Sequence, residues 1–195
     1  MARPRSFDEA TVVRAARDTF WTKGYAATSL DDLTAATGLG RGSLYNTFGD
    51  KEQLFHRALE DYCAAADEGL RADLTGPGSG RAKVEGWLRA SAESVAADEE
   101  RRGCMLAKST AELASRDPVV VARAHATLDL FQDLLTDCLE QARREGELLA
   151  DADPRGLAGM VLAVGRGMEA LGKAGASAEE LRRIAESTIA ALPRP

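Results

Sequence analysis

The stretch from Thr28 to Leu54, TSLDDLTAATGLGRGSLYNTFGDKEQL, constrains this chain more than any other. It holds two short helical patterns joined by a glycine turn, then the opening of a third helix. Thr28 reads as the N-cap of the first pattern, with Asp31 three residues on. Leu30 and Leu33 give the following turns an apolar side, and Gly38 stops the helix. Gly38 to Arg41 separate it from a second pattern around Ser43 to Thr47. Two short helices joined by a glycine turn of this length are the sequence form of a helix-turn-helix, whose second helix lies in the major groove of DNA.

The second helix has the side chains for that role. From Leu33 to Gly49 there is no acidic residue, and Arg41 is the only charge. Gly42 lets a backbone or a phosphate approach closely. Ser43, Tyr45, Asn46 and Thr47 carry hydroxyl or amide groups long enough to reach phosphates and base edges. Leu44 and Phe48, four apart, would pack the helix onto its neighbours. Asp50 caps the next helix, with Gln53 three residues on. Lys51 then stands at a helix N-terminus, where it and free backbone N–H groups can hold a phosphate.

On these residues the stretch resembles the DNA-binding domain of the TetR family of bacterial repressors. Thr28, Leu33, Ala36, Gly38, Leu39, Gly42, Leu44, Tyr45, Phe48, Lys51 and Leu54 stand in register with the family pattern. There are two departures. Gly40 stands where the family usually has a Ser or Thr capping the recognition helix, and Thr47 stands where His or Tyr is common. The resemblance implies an all-α fold of about nine helices. A three-helix DNA-binding domain would span residues 1–53, and a ligand-sensing and dimerisation domain residues 54–195. It implies Thr28, Arg41, Gly42, Ser43, Tyr45, Asn46, Thr47 and Lys51 as DNA contacts. Its partners would be a double-stranded operator, a second copy of the chain and an unidentified small-molecule inducer. It calls for no cofactor, no metal and no membrane.

Composition agrees with a helical globule. Apolar residues make up 45% of the 195 and aromatics only 5%, Ala, Leu, Glu and Arg are abundant, and almost no run alternates like a strand. No apolar stretch reaches the roughly 18 residues a membrane span requires. The start, MARPRSFDE, lacks the apolar centre of a signal peptide. Cys63, Cys104 and Cys138 form no CxxC pair, which fits a reducing cytoplasm. The net charge of −6 is adverse to a nucleic-acid partner only until it is located. Residues 1–55 carry seven Lys or Arg and seven Asp or Glu, so all the excess acidity lies beyond them. Arg3 and Arg5 flank Pro4 on an arm suited either to a groove or to solvent.

The rest reads as a succession of helices. Ser6 and Glu9 suggest a capping box for the first, which Gly24 ends. The fourth should run from Lys51 to about Leu74. TGPGSG at 75–80 lacks the Lys-Ser/Thr of a phosphate loop and reads as a turn. A fifth helix should cover about Arg81 to Ala97 and a sixth about Cys104 to Ser115. Asp117-Pro118 and Asp153-Pro154 are N-cap and N1 pairs that open the seventh and eighth. Ser177 and Glu180 box the start of the ninth. Beyond residue 55 the resemblance rests on this helix order and on the GCML…ELA…DP stretch, which resembles one branch of the family.

The family pairs its last two helices with their symmetry mates as a four-helix bundle. That implies Leu157, Val161, Val164, Met168, Leu181, Ile184 and Thr188 as interface candidates, with Gly159, Gly165 and Gly167 allowing close approach. The alternative for any of these positions is the core of the monomer. By the same analogy Trp87, Leu88, Cys104, Met105, Leu113, Leu128 and Phe131 would line an inducer pocket, though residues of these types are more often plain core than ligand wall. Cys104 follows Arg101, Arg102 and Gly103 at a helix start, a setting that stabilises a thiolate. The resemblance adds that some relatives with a similar Gly-Cys at this place respond to electrophiles or oxidants; the alternative is a small buried cysteine. Cys104, His125 and Cys138 have metal-ligand chemistry but no ligand spacing. Catalysis has little support, with two histidines, no GxSxG and no paired carboxylates on an apolar background. A DNA-binding regulator without ligand control is the remaining alternative.

Overall fold

A computed structural model describes residues 7–195. Among them are nine helices: α1 (Glu9–Lys23), α2 (Leu30–Thr37), α3 (Arg41–Phe48), α4 (Lys51–Thr75), α5 (Gly80–Ala96), α6 (Met105–Leu113), α7 (Pro118–Arg144), α8 (Pro154–Lys173) and α9 (Ala178–Ala191). The described residues contain no strand, and no helix among them is long and apolar enough to cross a membrane. Contacts divide the chain into two compact units. One takes the residues up to Ala65 together with Cys104–Ala124; the other takes Ala66–Gly103 with His125–Pro195.

Local side-chain chemistry sets most helix starts. Asp117 Oδ1 accepts from the N–H groups of Val119 and Val120 ahead of Pro118, and Asp153 accepts from Arg155. Ser177 and Glu180 form a reciprocal capping box. Two expected caps differ. Ser6 lies outside the described residues, and Asp8 caps α1 through the N–H groups of Ala10 and Thr11. Thr28 does not cap α2. Ser29 does, in a capping box with Asp32, while the Thr28 hydroxyl reaches back to donate to the Gly24 carbonyl at 2.6 Å.

The first unit buries Val12, Ala16 and Phe20 of α1 with Leu33 of α2 and with Leu44 and Phe48 of α3. Leu54, Phe55 and Leu59 of α4 join them, as do Met105, Leu106 and Leu113 of α6. Phe55 is its aromatic centre, edge-on to Phe20 at 5.2 Å and to Tyr25 at 4.9 Å between ring centroids. Full burial of a Phe or Leu is worth about 1.5–3 kcal/mol, so this core fixes the small helices that could not persist alone.

In the second unit α5 packs against α8 and α9. Leu88, Leu135, Leu139, Val161, Met168 and Leu181 are among its fully buried apolar side chains. The Trp87 ring stands edge-on to Phe131 at 4.9 Å and lies flush on α8, where a Cβ at Gly165 would come within 2.5 Å of the indole. Gly165 therefore serves close packing inside the unit. A Cβ at Gly167 would meet nothing within 4 Å. Arg81 is buried, with its guanidinium on the Glu85 carboxylate and on the carbonyls of Glu147, Ile189 and Leu192. It thus ties down the end of α9, and each of these charge-assisted bonds is of the stronger kind.

Candidate nucleic-acid interface

α2 ends at Gly38, held at φ 69° in the left-handed region that glycine enters without steric cost. After the turn, α3 starts at Gly40, whose side-chain-free N-cap leaves the first-turn N–H groups without a side-chain acceptor. Leu44 and Phe48 point into the core. Arg41, Gly42, Ser43, Tyr45 and Asn46 are exposed, and Thr47 is half-buried. The exposed face thus gathers a guanidinium, two hydroxyls, an amide and an open glycine, with helix-dipole charge at its head.

Two features of this face were not legible in the sequence. Arg41 forms an exposed ion pair with Asp31 of α2 at 2.6 Å, which holds the guanidinium protonated still more firmly. Lys51, half-buried at the start of α4, has its ammonium 4.5 Å from the centre of the Tyr25 ring. Burial pulls its pKa below the ordinary lysine value. Asp50 accepts from the Gln53 N–H at 2.8 Å and so caps the helix that Lys51 begins. Thr28, by contrast, is buried with its hydroxyl committed to Gly24, and offers no free surface to a ligand.

The turn between α1 and α2 is held by residues far away in sequence. Lys108 of α6 donates to the Trp21 and Thr22 carbonyls at 2.7 and 3.1 Å. Glu112, one turn later, accepts from the N–H groups of Tyr25 and Ala26. Gly24 lies between them at φ 85°, and a Cβ there would come 3.2 Å from the Glu112 carboxylate. The i,i+4 spacing of Lys108 and Glu112 was the sole sequence signal, and it reads as an ordinary exposed helix pair.

The other expected sites are redistributed. Of the pocket candidates, Cys104, Met105 and Leu113 belong to the first unit and Trp87, Leu88, Leu128 and Phe131 to the second. Cys104 is 9% exposed. It caps α6, its sulfur accepting weakly from the Ala107 N–H at 3.5 Å. Cys138 is buried and donates to the Leu74 carbonyl at 3.2 Å; burial pushes its thiol pKa up. Of the interface candidates, Val161, Met168 and Leu181 are fully buried in the second unit, and Thr188 is 8% exposed. Their burial within one chain corrects the expectation that Val161, Met168 and Leu181 face a partner. Leu157, Val164 and Ile184 are half-buried. Met160, Val164, Leu171, Ile184 and Ala191 line an open groove between α8 and α9, and Leu171 is 46% exposed.

Comparison with known proteins agrees with this geometry. The family model for bacterial regulatory proteins of the tetR family matches residues 12–58. That for the tetracyclin repressor-like C-terminal domain matches residues 80–188. The HTH-type transcriptional repressor ComR of Escherichia coli (strain K12) is 30% identical over 193 residues, covering 98% of this chain and 91% of that protein. The uncharacterized HTH-type transcriptional regulator YezE of Bacillus subtilis (strain 168) is 29% identical over 148 residues, 76% of each chain. Among solved structures, a cysteine mutant of the regulator CifR complexed with 26-bp double-strand operator DNA superposes with a TM-score of 0.83. Its sequence identity is 31%, over 98% of this chain and 100% of that one.

Proposed function

Because the chain belongs to the TetR family of bacterial regulatory proteins, we propose that it is a repressor which binds a near-palindromic operator as a homodimer and is released by a small-molecule or electrophile inducer. It is a transcriptional regulator and not an enzyme. The observation that carries the DNA reading is the exposed, acid-free face of α3, with Arg41, Ser43, Tyr45 and Asn46 on one side and Leu44 and Phe48 anchoring the other. Such a face supplies bidentate and hydroxyl partners for base edges and phosphates. Lys51 adds a phosphate contact at the N-terminus of α4. Residues 1–53 would read DNA and residues 54–195 would sense and dimerise, in the cytoplasm where the DNA is.

Reading a two-fold operator requires two heads at a fixed spacing. The groove between α8 and α9 supports a dimer face, because Val164, Ile184 and the exposed Leu171 present apolar surface there. Gly167 adds room for close approach. Inducer binding would favour a spacing of heads that no longer fits adjacent major grooves, a shift between pre-existing states. One route to such a shift is a covalent adduct on Cys104. Its sulfur caps α6, and Lys108 and Glu112 follow it one and two turns later. An adduct would therefore displace the helix that holds the turn ahead of α2.

The test is selection of bound DNA from a random pool by the purified protein. A near-palindrome with half-sites about one helical turn apart is expected. Enrichment of no sequence above background would overturn the reading.

A further inference from the structure

Three side chains of the first unit converge without a part in DNA reading. His56 of α4 and Asp117, the N-cap of α7, share a contact of 2.7 Å between Nε2 and Oδ2. Glu52 stands one helical turn before His56. One ligating atom from each of the three lies within 4.8 Å of the other two. An ordinary His–Asp pair needs one carboxylate, and here a second negative group is brought to the same point. Asp117 is 6% exposed. Its Oδ1 is engaged by the Val119 and Val120 N–H groups, which aims Oδ2 at the imidazole. Such fixing of a carboxylate by outer hydrogen bonds is what orients ligands in metal sites. Glu52 is exposed and can swing to close the set.

We infer that Glu52, His56 and Asp117 form a binding site for a borderline divalent cation of the Zn²⁺ class, joining the first turn of α4 to the start of α7. One imidazole nitrogen and two carboxylate oxygens make a mixed donor set that suits such ions, whereas Mg²⁺ and Ca²⁺ take oxygen donors. With bonds of about 2.0–2.2 Å, tetrahedral donors lie roughly 3.4 Å apart. The His56–Asp117 contact would then open slightly as the ion replaces its hydrogen bond. A fourth position is left for water. The cations Lys51 and Arg116 lie over the Tyr25 ring at 4.5 and 6.0 Å.

The experiment is titration of chelator-washed, full-length protein with Zn²⁺ by calorimetry, and with Co²⁺ by absorption, in a non-coordinating buffer. The readout is metal binding itself and is independent of operator binding. The site predicts one ion per chain, weak visible Co²⁺ bands without thiolate charge transfer, and no displacement by millimolar Mg²⁺. It also predicts an unfolding midpoint raised by Zn²⁺. Glu52→Gln and His56→Gln should each weaken binding by at least about tenfold, the loss expected even for an outer-shell partner. Glu52 is exposed, so Glu52→Gln decides the matter if His56→Gln fails to fold. Absence of binding by the wild type, undiminished binding by Glu52→Gln, or thiolate bands in the Co²⁺ spectrum would each overturn the site.

Discussion

Lys51 offers the sharpest quantitative test of DNA recognition, because its position separates two effects that usually mix. Its ammonium rests 4.5 Å over the Tyr25 ring, so the side chain is held in place before DNA arrives. Lys51→Met keeps the stem against the ring and removes the charge. The lost cation–π contact costs about 0.5–1 kcal/mol, equivalent to a fall in Tm of roughly 1–4 °C for a chain of this size. The fold should therefore survive. Binding should change differently. Each phosphate contact contributes about 0.9 to the slope of log K against log salt, so the two lysines of a dimer account for about 1.8. Over a fourfold rise in salt, from about 50 to 200 mM, the wild type should lose roughly twelvefold more affinity than the variant. Fluorescence anisotropy with a selected operator, repeated across that range, measures the slope directly. Non-cognate duplexes should show the same change, since phosphates carry no sequence. A parallel pair of salt plots, displaced or not, would refute the phosphate assignment and leave Lys51 as a structural partner of Tyr25.

Four further outcomes follow from the same geometry. Asp31→Ala frees Arg41 from its 2.6 Å ion pair and removes an anion from the DNA side, so operator affinity measured by anisotropy should rise; unchanged or weaker binding would contradict a DNA role for Arg41. Val164→Glu or Ile184→Glu should give a folded monomer by sedimentation, since both side chains are half-buried within one chain; Val161→Glu should unfold the protein instead, because an unpaired charge at a fully buried position costs several kcal/mol. Electrophile treatment should release operator from the wild type and not from Cys104→Ser, with mass mapping showing Cys138 unmodified behind its raised thiol pKa; equal release from both would end the covalent route. Acid should destabilise the fold, because Asp117, held by His56 and two backbone N–H groups against the opposing effect of burial, titrates below its ordinary value, as do Asp32 through Lys23 and Glu180 through Ser177. Their unfolded forms bind more protons, so stability is whole above about pH 4.5 and falls as pH drops toward the depressed native values; a melting temperature flat to pH 3 by circular dichroism would refute this.

What the sequence disclosed follows the range of the interactions involved. Asp117-Pro118, Asp153-Pro154 and Ser177–Glu180 were legible because each cap closes within three residues. Thr28 and Ser29 are adjacent hydroxyls with equal capping chemistry. The choice between them depends on the path of the chain leaving α1, which places the Thr28 hydroxyl on the Gly24 carbonyl. The buried side of α8 was illegible for a different reason. It is apolar on two sides, so Val161 and Met168 could not be separated by pattern from Met160, Val164 and Leu171. Packing decides: Val161 and Met168 are fully buried in the core of the second unit, whereas Met160, Val164 and Leu171 line the open groove. The exposed residues of α3 were legible because Leu44 and Phe48 fix its rotation, whereas the Asp31 partner of Arg41 was not, since ten residues and a turn separate them.

The bonds of Lys108 and Glu112 span 86 or 87 residues of sequence and change what the first unit is. A three-helix head would hold the connection between α1 and α2 only through local turns. Here Lys108 satisfies the terminal carbonyls of α1, where a cation also meets the negative end of the helix dipole. Glu112 satisfies two N–H groups beyond it. A carboxylate and an ammonium one turn apart thus hold the chain just before and just after Gly24, and the grip is directional: rotation of α6 about its axis would carry both groups off their partners together. Charge-assisted hydrogen bonds lose most of their value once misaligned. A small displacement at the start of α6, where Cys104 supplies the cap, would then be felt at the turn that positions Ser29 and the first residue of α2. The element that completes the core of the reading head is therefore also the element best placed to disturb it.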